Sequence, residues 1–179
     1  GLGEAVKLIN RIGIKNIEAR IEELTDYLCE QLAGIGYVVT SPRNEKSKSG
    51  LVLFKHETRD SEEINNKLSS TENGQKPIWM SIRDGKMRAC IHYYNNKEEI
   101  DELIDRLLGE DLRKGAEDRG FPYGCTKPEI ERAISSTIEY CKKHSDANPD
   151  GVLHHMLKPI AEKKSKEIYR KLPEDEQKI

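Results

Sequence analysis

The sequence is short of aromatic side chains, which make up 6% of its 179 residues, and it holds no apolar run approaching the ~20 residues that span a bilayer. Few rings mean a core that is modest and mostly aliphatic. With no basic-then-apolar pattern at the N-terminus either, the expectation is a soluble, cytoplasmic protein with no membrane partner. One-signed charge is also missing: 30 Lys and Arg stand against 32 Asp and Glu, a formal net charge of −2, and nothing in that balance asks for nucleic acid. Paired cysteines are absent as well. Cys29, Cys90, Cys125 and Cys141 lie far apart with no Cys-x-x-Cys spacing, which predicts free thiols in a reducing compartment rather than a disulfide framework. The same spacing argues against a zinc site made from Cys125, Cys141, His144, His154 and His155, since neighbouring His154 and His155 point to different faces of a helix.

What is present centres on Ile78 to Asn95, IWMSIRDGKMRACIHYYN. It reads as strands Ile78–Ile82 and Lys86–His92 joined at Asp84-Gly85, a dipeptide that accepts the positive φ angles of a two-residue hairpin. Along the second strand a period of two puts Arg88, Cys90 and His92 on one face and Met87, Ala89 and Ile91 on the other. Such a strand packs on a core and presents a guanidinium, whose planar fork matches a carboxylate with two parallel hydrogen bonds. The plainer reading is an exposed arginine on a half-buried strand.

Taken in order, the chain opens with a long amphipathic helix, bent or broken near Gly13, whose later stripe is Ile17, Ile21, Leu24, Leu28 and Leu32. Tyr37 to Ser41 is a strand stopped by Pro42, and Leu51–Lys55 a second strand whose continuous apolar run suits a central position buried on both faces. Asp60 with Glu63 forms a capping box for a short helix through Ser69. After the hairpin, Asn96 and Glu99 cap another helix with the stripe Ile100, Leu103, Ile104 and Leu107. The fold class expected is α+β, a two-layer sandwich of mostly antiparallel sheet with helices on one face.

The early run IGIKNIEARIEELTDYLCEQLAGIGY, then VVTSPRNEKSKSGLVLFKH, then SIRDGKMRACIHYYNNKEEIDELIDRL resembles the C-terminal small domain of the class V aminotransferase and cysteine desulfurase family, pyridoxal-phosphate enzymes of fold type I. The resemblance covers residues 1–108. It implies that Arg88 grips the α-carboxylate of an amino-acid substrate, with His92 a further candidate for substrate contact. It also implies that the pyridoxal-phosphate lysine, its acid partner and the phosphate cup belong to a large domain or second subunit missing here, so that this chain is not catalytic alone; a homodimer is implied too. The sequence departs from the desulfurases at one point. Their persulfide-forming Cys lies between the short helix and the hairpin, and Ser69-Ser70-Thr71-Glu72-Asn73-Gly74 contains none. Cys90 shares the Arg88 face, but a strand position suits a small semi-buried thiol better than a swinging sulfur carrier.

Beyond Leu108 the resemblance stops. Gly109, Gly115, Gly120, Pro122 and Gly124 suggest a linker over 109–125. Residues 126–179 then read as a C-terminal helical hairpin: one helix begins at Thr126, Pro128 and Glu129 and buries Ile130, Ala133, Ile134, Ile138 and Cys141. Asn148-Pro149-Asp150-Gly151 makes the turn, and a second helix carries Val152 to Leu172, bent at Pro159. Two such helices cannot bury both faces by themselves. The alternative function is a stand-alone, non-catalytic module that binds an acidic ligand at Arg88 or mediates protein contacts.

Overall fold

The structure is a computed structural model that describes residues 1–71, 75–118 and 125–169, without the side chains of residues 117, 118, 165 and 167–169. The chain divides into two compact units, Gly1–Arg106 and Leu107–Ile179. The first contains α1 (Leu2–Ile12), α2 (Ile14–Gly34), β1 (Tyr37–Val39), β2 (Leu51–His56), α3 (Ser61–Ser69), β3 (Ser81–Arg83), β4 (Lys86–Cys90) and the start of α4 (Lys97–Asp118). The strands form one antiparallel sheet in the order β1-β2-β4-β3. This is an α+β fold. Gly13, with φ of 89°, separates α1 from α2 as a residue that takes the left-handed region without penalty.

The first core follows from the alternation of the strands. Tyr37, Val52, Phe54, Met87 and Ala89 are buried on one side of the sheet, together with Leu24, Leu28 and Leu32 of α2, Ile64 and Leu68 of α3, and Ile100, Leu103 and Ile104 of α4. The other side is open. Strand β2 is central, but the expectation that it is buried on both faces is wrong: Leu51 is 45% exposed, and Val38, on the same face of β1 opposite Lys55, is 38% exposed. Three strand ends also fall short of expectation. Strand β1 stops at Val39 because the N–H groups of Thr40 and Ser41 share the single carbonyl of Leu53, which breaks the ladder. Strand β3 begins at Ser81 because Ile78 donates its N–H to Leu68 O at the end of α3 instead of to a strand. Strand β4 ends at Cys90, so His92 lies outside it.

Capping was legible. Asp60 accepts from Glu63 N–H at 2.9 Å, and Asn96 and Glu99 exchange side-chain to backbone bonds at 2.8 and 3.2 Å. The connection from β1 to β2 is tied to α2 by Asp26, which accepts from Arg43 at 2.6 Å and Lys48 at 2.7 Å. Those two cations, Lys48 foremost, hold its carboxyl below the ordinary range.

In the second unit the expected linker is helical over 109–118. Helix α4 runs through Gly109 and Gly115 to Asp118, residues 119–124 lying outside the described part. Each glycine costs a helix about 1 kcal/mol relative to alanine. Burial outweighs it: Leu112 and Ala116 enter a core with Ala133 and Ile134 of α5 (Lys127–Lys143) and Leu153 and Leu157 of α6 (Pro149–Tyr169). Two helices alone were expected here, and the second half of α4 makes a third that shares their core. Gly109 faces Ile138, and Arg113 donates to Glu110 and, at 2.9 Å, to Glu131 on α5. Pro149 to Gly151, expected as a turn, is the first turn of α6, because Asn148 Oδ1 accepts from the N–H groups of Asp150 and Gly151. Helix α6 continues through Pro159, and the Ile168 and Leu172 side chains lie outside the described residues.

Candidate functional site

Asp84 and Gly85 take φ angles of 52° and 69°, the two positive values of a tight hairpin turn, and this fixes the register of β3 on β4. Counting outward from the turn, Arg83 lies opposite Lys86, Ile82 opposite Met87 and Ser81 opposite Arg88. On its other side Arg88 faces Leu53 of β2, and Lys55 lies two residues further along that strand. The face that carries Arg88 therefore holds Val38, Leu51, Leu53, Lys55, Ser81, Arg83, Lys86 and Cys90. It has four cations and no Asp or Glu, the nearest acid in sequence being Asp84 in the turn itself. Arg83 directly opposite Lys86 is a like-charge cross-strand pair, an arrangement that costs the sheet stability.

Arg88 is half-buried and donates from Nε to Ser81 Oγ at 2.8 Å. Among the described residues its terminal Nη1 and Nη2 groups have no protein partner, and no carboxylate forms an ion pair with it. The guanidinium is thus neither turned into the core nor neutralised from within. An acid group arriving from outside would meet two donors in one plane.

His92 does not join this face. It sits exposed in the turn after β4, where its ring stacks on Tyr94 at 4.4 Å and 19° and lies 4.6 Å from Tyr93. The turn is held by Asn95, whose Oδ1 accepts from His92 N–H at 2.8 Å and whose own N–H donates to His92 O at 3.1 Å. Parity along β4 placed His92 beside Arg88, and parity ends where the strand does.

All four cysteines are free, and burial raises the thiols of Cys29, Cys125 and Cys141 above their ordinary value. Cys90 is exposed at the last position of β4. His144 stacks on Tyr140 at 4.1 Å, and among the described residues no three His, Cys, Asp or Glu side chains gather as metal ligands would. A groove of about 490 Å³ opens in the second unit between α5 and α6, over Ala133, Met156 and Ile160.

Sequence reasoning singled out Arg88 but missed Ser81. The signal was available, since a two-residue turn at Asp84-Gly85 sets which residue of β3 stands opposite each residue of β4.

An antiparallel sheet with helices on one side and a cation-bearing open face on the other is an α+β module. The comparisons make this specific: residues 1–103 match the aminotransferase class-V family model, and the chain belongs to that family. A probable cysteine desulfurase of Staphylococcus aureus is 27% identical over 117 residues, which cover 60% of this chain and 28% of the relative. One from Methanothermobacter thermautotrophicus is 28% identical over 128 residues, covering 64% and 30%. The chain thus spans under a third of the length of these relatives. A solved structure, the alanine–glyoxylate aminotransferase of Nostoc sp., aligns over 58% of this chain and 28% of its own, at 24% identity and a TM-score of 0.47.

Proposed function

We propose that this chain is the C-terminal part of a pyridoxal-phosphate-dependent enzyme acting on an amino acid, and that Arg88 anchors the substrate's α-carboxylate. The observation that carries it is the guanidinium itself, held at the sheet surface with Nη1 and Nη2 facing no acid among the described residues. Anchoring the carboxylate fixes how the bonds to the substrate's α-carbon stand toward the reacting centre, and orientation of that kind lowers a barrier without any proton being moved by Arg88. His92, in the adjoining exposed turn, is the second candidate for substrate contact. When bound, pyridoxal phosphate supplies an electron sink for the α-carbon.

The donors on the Arg88 face do not fit that cofactor. Lys55 and Lys86 lie on an open sheet surface, and no acid on the face is placed to pair with a pyridinium nitrogen. The cofactor then belongs to a separate large domain or second subunit. Two features support such a partner: the chain matches only part of its relatives' length, and α1 exposes Leu2, Val6, Leu8 and Ile9 while burying none of its residues. Between the activities of its relatives, the absence of a cysteine from Ser69 to Gly74 speaks against a loop-thiol desulfurase.

The test has two arms. Mixed with pyridoxal phosphate, the chain alone should develop no borohydride-sensitive band near ~420 nm; a band would place an aldimine lysine in this chain and end the proposal. Joined to its cofactor-bearing part, Arg88→Ala should lower kcat/KM by about 30- to 1,000-fold, the equivalent of ~2–4 kcal/mol of transition-state binding. An unchanged kcat/KM would remove Arg88 from the reaction.

A further inference from the structure

We infer that Ser81 is a positioning residue for Arg88: by accepting from Nε, it leaves the Nη1–Nη2 end of the guanidinium as the edge that receives a carboxylate. This rests on the reading of Arg88 given above and adds which edge is used and what sets it.

A guanidinium offers a carboxylate two kinds of paired edge, the side edge made of Nε–H with one Nη–H and the end made of Nη1 and Nη2. Nε carries a single hydrogen. With that hydrogen directed at Ser81 Oγ at 2.8 Å, the side edge can no longer make two parallel bonds, and only the end remains. The sheet decides where the head lies. Arg88 has one directly opposite neighbour on each side, Leu53 on β2 and Ser81 on β3, and only Ser81 has a side-chain acceptor. The bond is partly buried, so water competes with it less than at a free surface. No carboxylate on the face draws the head elsewhere. Holding Nε also removes rotamer freedom from a long side chain before any ligand arrives, so less is lost on binding.

The test uses the full chain with isotope-labelled arginine, followed by nuclear magnetic resonance, with acetate as the carboxylate probe and Arg83 on the same face as internal reference. In the native chain the Arg88 Nε–H should exchange with water about tenfold more slowly than in Ser81→Ala, with Ser81→Thr restoring the slow exchange. Acetate should shift the Nη signals of Arg88 and leave Nε in place, whereas in Ser81→Ala it should shift Nε as well. An Nε that moves with acetate in the native chain overturns the inference whether or not the variants fold. So does an Nε–H that ignores the loss of Ser81 while acetate still binds, an outcome that leaves the carboxylate role of Arg88 standing. If instead Ser81 controls Nε but acetate moves neither end of Arg88 more than it moves Arg83, the carboxylate role fails and the edge assignment with it.

Discussion

Single side chains in this protein are set by partners that lie far away in sequence. Tyr27 on α2 donates its hydroxyl to Asp101 Oδ1 on α4 at 2.6 Å, while Lys97 sits 5.1 Å from the centre of its ring. The Asp101 carboxylate disfavours the phenolate, and the Tyr27 hydroxyl is pushed up to about 12. A group whose pKa is raised on folding stabilises the fold below its unfolded value and loses that contribution as the pH rises through the folded one. Thermal stability should therefore decline between about pH 10 and pH 12 by an increment that Tyr27→Phe abolishes. At neutral pH the same variant should cost about 1 kcal/mol, read from denaturant unfolding.

At the level of elements, what the sequence showed and what it hid have separate physical causes. The caps at Asp60 and Asn96, the break at Gly13 and the hairpin turn depend on residues within a few positions of one another, so local spacing was enough. The open face of β2 was hidden because the run Leu51 to Phe54 is apolar at every position, and only the three-dimensional packing decides which face is covered. Gly109 and Gly115 misled because the core that sustains α4 there comes from α5 and α6, far along the chain.

Gly50 is a comparable case: a Cβ on it would stand 2.6 Å from the carbonyl oxygen of Ile91, whose N–H donates to Gly50 O at 2.7 Å. Gly50→Ala should destabilise the first unit by about 1–3 kcal/mol and disturb the turn that carries His92, which chemical shifts of that ring would report. In the second unit Glu129 at the start of α5 accepts from Lys164 on α6 at 2.5 Å and from the N–H and hydroxyl of Thr126 at 2.7 and 2.8 Å. These bonds, Lys164 foremost, depress its carboxyl to about 2. Its stabilising effect is present above the ordinary value of 4.5 and lost as the pH falls toward 2, so acid should loosen the α5–α6 pair over that window in the native chain. In Lys164→Met the acid transition, followed by circular dichroism, should be shallower.

For the molecule as a whole, the formal charge of −2 describes no part of it well. Lys55, Arg83, Lys86 and Arg88 are interspersed in sequence with neutral and acidic residues, and alternation along three strands sorts them onto one side of the sheet. The unit is electrically lopsided although its total is close to neutral. Anionic molecules should accordingly be drawn to this side faster than to the average surface, and their association rate should fall as salt is added. Replacing Arg83 and Lys86 together with glutamine should flatten that salt dependence while leaving Arg88 in place, a result that stopped-flow mixing with an anionic dye would register. A protein that gives no sign of polarity on an isoelectric gel would in this way act as a directional lens for negative charge.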